Sequence, residues 1–136
     1  MQEEQGSKAA RGVLGIGTDI IECERIAGME HKHGEEFLSR VFTAREIAYC
    51  ADRKTSELHY AGRWAAKEAV LKVLGTGWSR GIQWTDVEVV NLPSGAPSVI
   101  LWNRALEIAK ELGITKVEVS ISHCKAYAVA FAVGLG

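Results

Sequence analysis

A chain of 136 residues whose 16 Lys and Arg face 17 Asp and Glu, for a formal net charge of -1, has the size of one domain and can bury a core without staples. Charge scattered in this way excludes a nucleic-acid footprint made by overall charge, so an acidic partner has to be met by a local patch. No apolar run reaches the roughly 18 residues that span a bilayer, and Cys23, Cys50 and Cys124 show neither even number nor CxxC spacing, which suits a reducing cytoplasm better than a disulfide framework or a zinc site.

Residues 1–12, MQEEQGSKAARG, lack the apolar stretch of a secretory signal and read as a flexible tail, leaving one domain over 13–136. Val13 to Ile21, VLGIGTDII, alternates as a strand, with Leu14, Ile16 and Ile20 on a face expected to be core and Gly15, Gly17 and Asp19 on the other. Glycines in a strand admit a helix or a ligand at close range. Asp19 then either caps the following helix or faces that ligand. Glu22 to Arg40 reads as helical, broken at Gly28 and Gly34, and the i,i+2 pair His31 and His33 shares no helix face, so a solvated turn is expected there rather than a metal site. Thr43 and Glu46 spell a capping box for a short helix beginning at Thr43 or Ala44.

A long helix follows, capped at Thr55 or Ser56 and stopped at Gly75. Its Ala61, Ala65, Ala66 and Ala69 permit close packing on a sheet, and Arg63 and Lys67 are expected on its solvent face. Glu68 and Lys72 fall in the arc of Ala61, Trp64, Ala65 and Leu71, where a carboxylate and an ammonium lose hydration. They either pair along the helix across a shallow groove or meet another polar group. The glycine-rich loop after the helix lacks GK[ST] and is not a P-loop. Thr85 to Asn91 and Ser98 to Leu101 form a hairpin about LPSGAP. Trp102 to Leu112 is an amphipathic helix with Trp102, Ala105, Leu106, Ala109 and Leu112 as its apolar stripe. Lys116 to His123 and Tyr127 to Val133 pair about a short turn, the second strand offering Ala128, Ala130 and Ala132 to a closely packed helix. This order implies an α+β domain with a mainly antiparallel sheet packed by one long and several shorter helices.

Three polar residues stand where packing alone would prefer apolar ones: Asp19 at a strand end, Glu68 in the long helix and His123 at the end of a strand. Two carboxylates from separate elements begin a hard-cation site, and magnesium characteristically takes one or two and completes its shell with water and substrate phosphate. Lys72, one turn from Glu68, reaches the same phosphates as a point charge. From spacing alone His123 is a hydrogen-bonded turn residue, and Cys124 has no activating base beside it.

GIGTDI at 15–20, AGRWAAKEAVLKVLGTG at 61–77 and SISHCKAYA at 120–128 resemble, in order and spacing, the three signature stretches of the holo-acyl-carrier-protein synthases, the small bacterial type of phosphopantetheinyl transferase. The resemblance runs from about Gly12 to Val133. It implies Mg-dependent transfer of the phosphopantetheine of coenzyme A to a serine of an acidic apo acyl carrier protein, with release of adenosine 3',5'-bisphosphate. By the same carry-over Asp19, Glu68 and Lys72 are catalytic, Asp19 and Glu68 hold the metal, and Arg63, Lys72 and His123 bind coenzyme A. A homotrimer with sites between subunits is implied as well. One departure concerns the first helix, which the family tends to present to the carrier as a basic surface: here Arg25, Lys32 and Arg40 are diluted by Glu30, Glu35 and Glu36. The competing reading is a non-catalytic coenzyme A or nucleotide binding module on the same fold, which the presence of both Asp19 and Glu68 disfavours.

Overall fold

The structure is a computed structural model that describes residues 12–136; the tail expected over 1–12 lies outside the described residues apart from Gly12. Strand β1 (Val13–Glu22) leads into helices α1 (Cys23–His33), α2 (Glu35–Val41), α3 (Ala44–Ala51) and α4 (Ser56–Leu74). A 3-10 turn (Trp84–Asp86) opens the hairpin β2 (Val87–Asn91) and β3 (Pro97–Leu101), followed by α5 (Asn103–Glu111), β4 (Lys116–His123) and β5 (Tyr127–Leu135). Both β1 and β4 pair antiparallel with β5, giving the order β1-β5-β4, and β2-β3 forms a separate antiparallel hairpin. The α+β architecture with an antiparallel sheet is therefore as the residue pattern implies.

Helix α4 lies across the sheet because both surfaces lack bulk. Ala61, Ala65, Ala66 and Ala69 are buried on the helix, as are Ala128, Ala130 and Ala132 on β5. Gly15 and Gly17 complete the seat: a Cβ on Gly17 would stand 2.1 Å from the Ala69 carbonyl oxygen, a clash no side chain can accommodate. Close backbone approach of this kind maximises dispersion contacts between the layers.

Two faces are inverted relative to the sequence expectation. Leu14, Ile16 and Ile20, expected in the core, are 42%, 61% and 62% exposed, because the helix seats itself on the glycine side of β1. Alternation identifies two faces without saying which one a partner covers. On α4, Arg63 and Lys67 are not on a solvent face but 4% and 0% exposed, whereas Trp64 and Glu68 are partly open and Lys72 is exposed. The reason is that α4 is enclosed from several sides. Lys67 spends its three protons on the carbonyl oxygens of Trp84 and Val87 and on Glu46, whose Oε1 lies 2.9 Å away. Glu46 in turn accepts the N–H of Thr43 at 2.8 Å and of Val89 at 2.6 Å, so the ion pair clamps α3, α4 and β2 together.

The remaining differences are local. Helix α1 runs through Gly28 without interruption, and the break falls at Gly34, where φ is 57°. His31 and His33 sit exposed in its last turn. The Thr43–Glu46 capping box is present as expected. Thr85 and Asp86 belong to the 3-10 turn rather than to a strand. In α5 the buried residues are Ala105, Ile108 and Ala109, while Trp102, Leu106 and Leu112 remain exposed, a stripe rotated from the expected one.

Candidate active site

The seat of α4 on Gly17 brings the middle of β1 to the C-terminal third of the helix, and with it Asp19, three residues before the strand ends, to Lys72. The Lys72 Nζ donates to the Thr18 carbonyl oxygen at 2.7 Å and stands 3.6 Å from Asp19 Oδ1. Burial raises the pKa of the Asp19 carboxyl, with Lys72 working against it. Glu68 is also raised, first by burial and then by the negative charge of Asp19, with the Trp78 side chain and Lys72 working against it. Asp19 does not cap α1, whose N-cap is Glu22. Two half-buried carboxyls, one raising the pKa of the other, form a place where a cation is welcome. Among the described residues no group of three or more His, Cys, Asp and Glu gathers for a metal. An all-oxygen pair suits magnesium, which keeps water and phosphate in its shell, and does not suit zinc.

Beside this pair runs an aromatic stack. Trp64, one turn before Glu68, lies 4.3 Å from the ring of Trp84, and Trp84 lies 3.9 Å from Trp78. The buried Lys67 fixes the Trp84 backbone from below. Trp78 arrives on the loop that leaves α4 at Gly75 and Gly77, both at positive φ.

Arg63 and His123 belong to a different group. The Arg63 Nη2 donates to Asn91 Oδ1 on the hairpin, and its guanidinium lies 4.2 Å over the Tyr49 ring, while Arg53 lies 3.9 Å over the same ring. Tyr49 meets His59 at 5.9 Å, and His59 meets His123 at 5.6 Å. Burial first, then His123, Arg53 and Arg63, lower the pKa of His59, with Glu57 working against them. The Arg63 Nε is buried without a partner. Arg63 and Glu68 are five residues apart, about 140° around the helix axis, and among the described residues no hydrogen bond, ion pair or ring contact joins the two groups. The expected site residues thus separate into Asp19, Glu68 and Lys72 on one side and Arg63 and His123 on the other. Arg53, Tyr49 and His59 were not anticipated; the i,i+4 spacing of His59 and Arg63, which puts them on one helix face, was the available signal.

The mixed charges of the first helices are sorted in part, although Glu36 and Arg40 share a cleft with Met29, His33 and Phe37. Arg25 and Lys32 line a cleft with Ile26, Met29 and Trp64, whereas Glu30 and Glu35 line another with Leu38, Ile47 and Tyr60.

The sequence profile of the 4'-phosphopantetheinyl transferase superfamily matches residues 15–132. A holo-[acyl-carrier-protein] synthase of Protochlamydia amoebophila is 52% identical over 120 residues, covering 88% of this chain and 96% of that protein. The crystal structure of the corresponding synthase from Neisseria meningitidis superposes with a TM-score of 0.82 at 30% identity, covering 91% of this chain and 99% of that one. The synthase from Bacillus anthracis, in complex with CoA (3',5'-ADP), superposes with a TM-score of 0.76 at 35% identity, covering 92% and 98%. With its signature stretches, its fold and its relatives in agreement over nearly the whole length, the chain belongs to the 4'-phosphopantetheinyl transferase superfamily, in the holo-[acyl-carrier-protein] synthase family.

Proposed function

We propose that the chain moves the 4'-phosphopantetheine of coenzyme A onto a serine of an acidic apo acyl carrier protein, in a magnesium-dependent reaction that releases adenosine 3',5'-bisphosphate. The observation that carries this reading is the convergence of Asp19 and Glu68, from two elements, beside Lys72. In the transfer a bond forms between the serine oxygen and the phosphorus bearing pantetheine, the bond from that phosphorus to the bisphosphate oxygen breaks, and the serine proton is released. Asp19 and Glu68 would hold the ion on the pyrophosphate, where it offsets charge on the bridging and leaving oxygens. Lys72, its side chain 55% exposed, can turn from the Thr18 carbonyl to a phosphate oxygen. Such a reaction asks the protein mainly for positioning and charge.

Arg63 and His123, joined by Arg53, would take the remaining phosphate of coenzyme A in the second, positively charged group. The division of the residues into two groups, Glu68 and Lys72 with Asp19 of β1 and Arg63 with His123 of β4, suits a homotrimer whose sites lie between chains. The surface for such an assembly is the open face of the sheet, where Ile16, Ile20, Val129 and Phe131 are exposed together. The carrier would dock at the cleft of Arg25, Met29 and Lys32, from which Glu30 and Glu35 are turned away. Three free cysteines suit a cytoplasmic setting.

The test is to incubate the protein with coenzyme A, magnesium and several apo carriers and to weigh the carriers. A gain of one phosphopantetheine is expected. Coenzyme A binding without any gain in mass would instead favour the non-catalytic binding module.

A further inference from the structure

We propose that Tyr49 is a positioning residue: its ring holds the guanidinium groups of Arg53 and Arg63 as a pair, and that pair makes the site select ligands with a phosphate monoester besides the pyrophosphate. This rests on the reading of Arg63 and His123 as the group that takes the remaining phosphate of coenzyme A. Arg53 lies 3.9 Å and Arg63 4.2 Å from the centre of the same ring, so the two cations stand no further apart than those distances combined. Guanidinium groups brought this close repel each other, and the electron-rich face of a tyrosine offsets part of the repulsion. Among the described residues neither forms an ion pair with a carboxylate. Arg63 is 4% exposed and leaves its Nε without an acceptor. A buried charge of this kind calls for an anion. A phosphate monoester carries nearly two negative charges at neutral pH, which two guanidinium groups match and one does not.

The ring is itself held from two elements. Tyr49 stands on α3, where Glu46, three residues earlier on the same helix face, is clamped to α4 by its ion pair with Lys67. From α4 the His59 ring meets the Tyr49 ring edge-on at 5.9 Å, one turn before Arg63. The two cations differ in their other ties. Arg63 donates from Nη2 to Asn91 Oδ1 on the hairpin. Arg53 is exposed and, among the described residues, its guanidinium has no contact other than the Tyr49 ring. Tyr49 is therefore what keeps Arg53 beside Arg63. Its hydroxyl makes no hydrogen bond among the described residues, so the ring face is the part that acts.

Adenosine 3',5'-bisphosphate and adenosine 5'-monophosphate differ only in the second phosphate, so the ratio of their dissociation constants reports the pair without any turnover. Isothermal titration calorimetry with magnesium present throughout measures that ratio. Wild type should prefer the bisphosphate. The preference should fall about tenfold in Tyr49→Leu, in Tyr49→Met and in Arg53→Ala, and should persist in Tyr49→Phe, which keeps the ring. A preference retained by folded Tyr49→Leu or Tyr49→Met overturns the proposal, and so does its loss in Tyr49→Phe. Because Arg53 is exposed, Arg53→Ala spares the fold, and a wild-type preference in that variant overturns the proposal even if Tyr49→Leu and Tyr49→Met do not fold. If wild type itself shows no preference, the reading of Arg63 and His123 as a phosphate site is what fails, and the positioning role falls with it.

Discussion

Gly17 and Ala69 meet backbone to backbone: the space a Cβ would need on the strand residue is taken by the carbonyl oxygen of the helix residue, 2.1 Å away. Asp19 is two residues further along β1 and Glu68 one residue back along α4, so this contact sets how near the two carboxyls come. Gly17→Ala should therefore destabilise the fold by about 3 kcal/mol, the upper end for overpacking, because backbone cannot yield as a side chain does. Gly28→Ala is the contrasting case. Gly28 lies inside α1 with nothing within 4 Å of a built Cβ, so alanine there should stabilise by about 0.5–1 kcal/mol. Urea denaturation of both variants checks the pair of signs.

Neutralising either carboxyl should separate stability from ion binding. Both carboxyls have pKa values raised in the folded chain, chiefly by burial. A carboxyl raised on folding favours the native state below its unfolded value and loses that contribution as pH rises through the folded value. Without added ion, Asp19→Asn and Glu68→Gln should thus melt higher than wild type at neutral pH, and the gain should disappear below the ordinary values of 3.8 and 4.5. Adding magnesium should raise the melting temperature of wild type and leave the variants unmoved. Turnover by the variants should be lost or should demand much more magnesium.

The Lys67–Glu46 pair is fully buried on both sides. Removing the charge of one member leaves the other unpaired, so Glu46→Gln should cost about 3–5 kcal/mol. Lys67→Met combined with Glu46→Gln should cost clearly less than the two single changes added together. A double-mutant cycle by chemical denaturation measures the difference.

If the carrier docks through the exposed Arg25 and Lys32, that electrostatic contact should be screened by salt. Rising ionic strength should increase the KM for the carrier more than the KM for coenzyme A. Arg25→Ala with Lys32→Ala should flatten that dependence, with kcat close to wild type. Initial rates at several salt concentrations provide the comparison.

If the two residue groups of one site come from neighbouring chains, inactive chains should complement. Glu68→Ala and His123→Ala, denatured together and refolded into mixed oligomers, should regain part of the activity. Asp19→Ala mixed with Glu68→Ala should regain none, since both losses fall in the same group. Native mass spectrometry verifies mixing, and activity assays on the mixed fraction report the outcome.

Much of this protein is determined along the chain itself. The capping box at Thr43 and Glu46, the left-handed stop at Gly75 and the alternation of Tyr127 to Val133 act over a few residues, through backbone hydrogen bonds and a period of two or 3.6. The resemblance carried by the three signature stretches likewise points to Asp19, Glu68, Lys72, Arg63 and His123 as expected site residues. What the chain does not contain is the identity of the face that another element will cover. Gly15 and Gly17 could have been a surface, and Ile16 and Ile20 a core. Only the fit of an alanine-lined helix against bare strand backbone decided otherwise. In the same way Lys67 became the most deeply buried charge because Glu46 and two carbonyl oxygens arrive from elements that are distant in sequence. The separation of Arg63 from Glu68, and the chain of contacts from Arg53 over Tyr49 to His59 and on to His123, have the same origin. Burial and electrostatic neighbours depend on contacts between elements, and those come into being only when the chain packs.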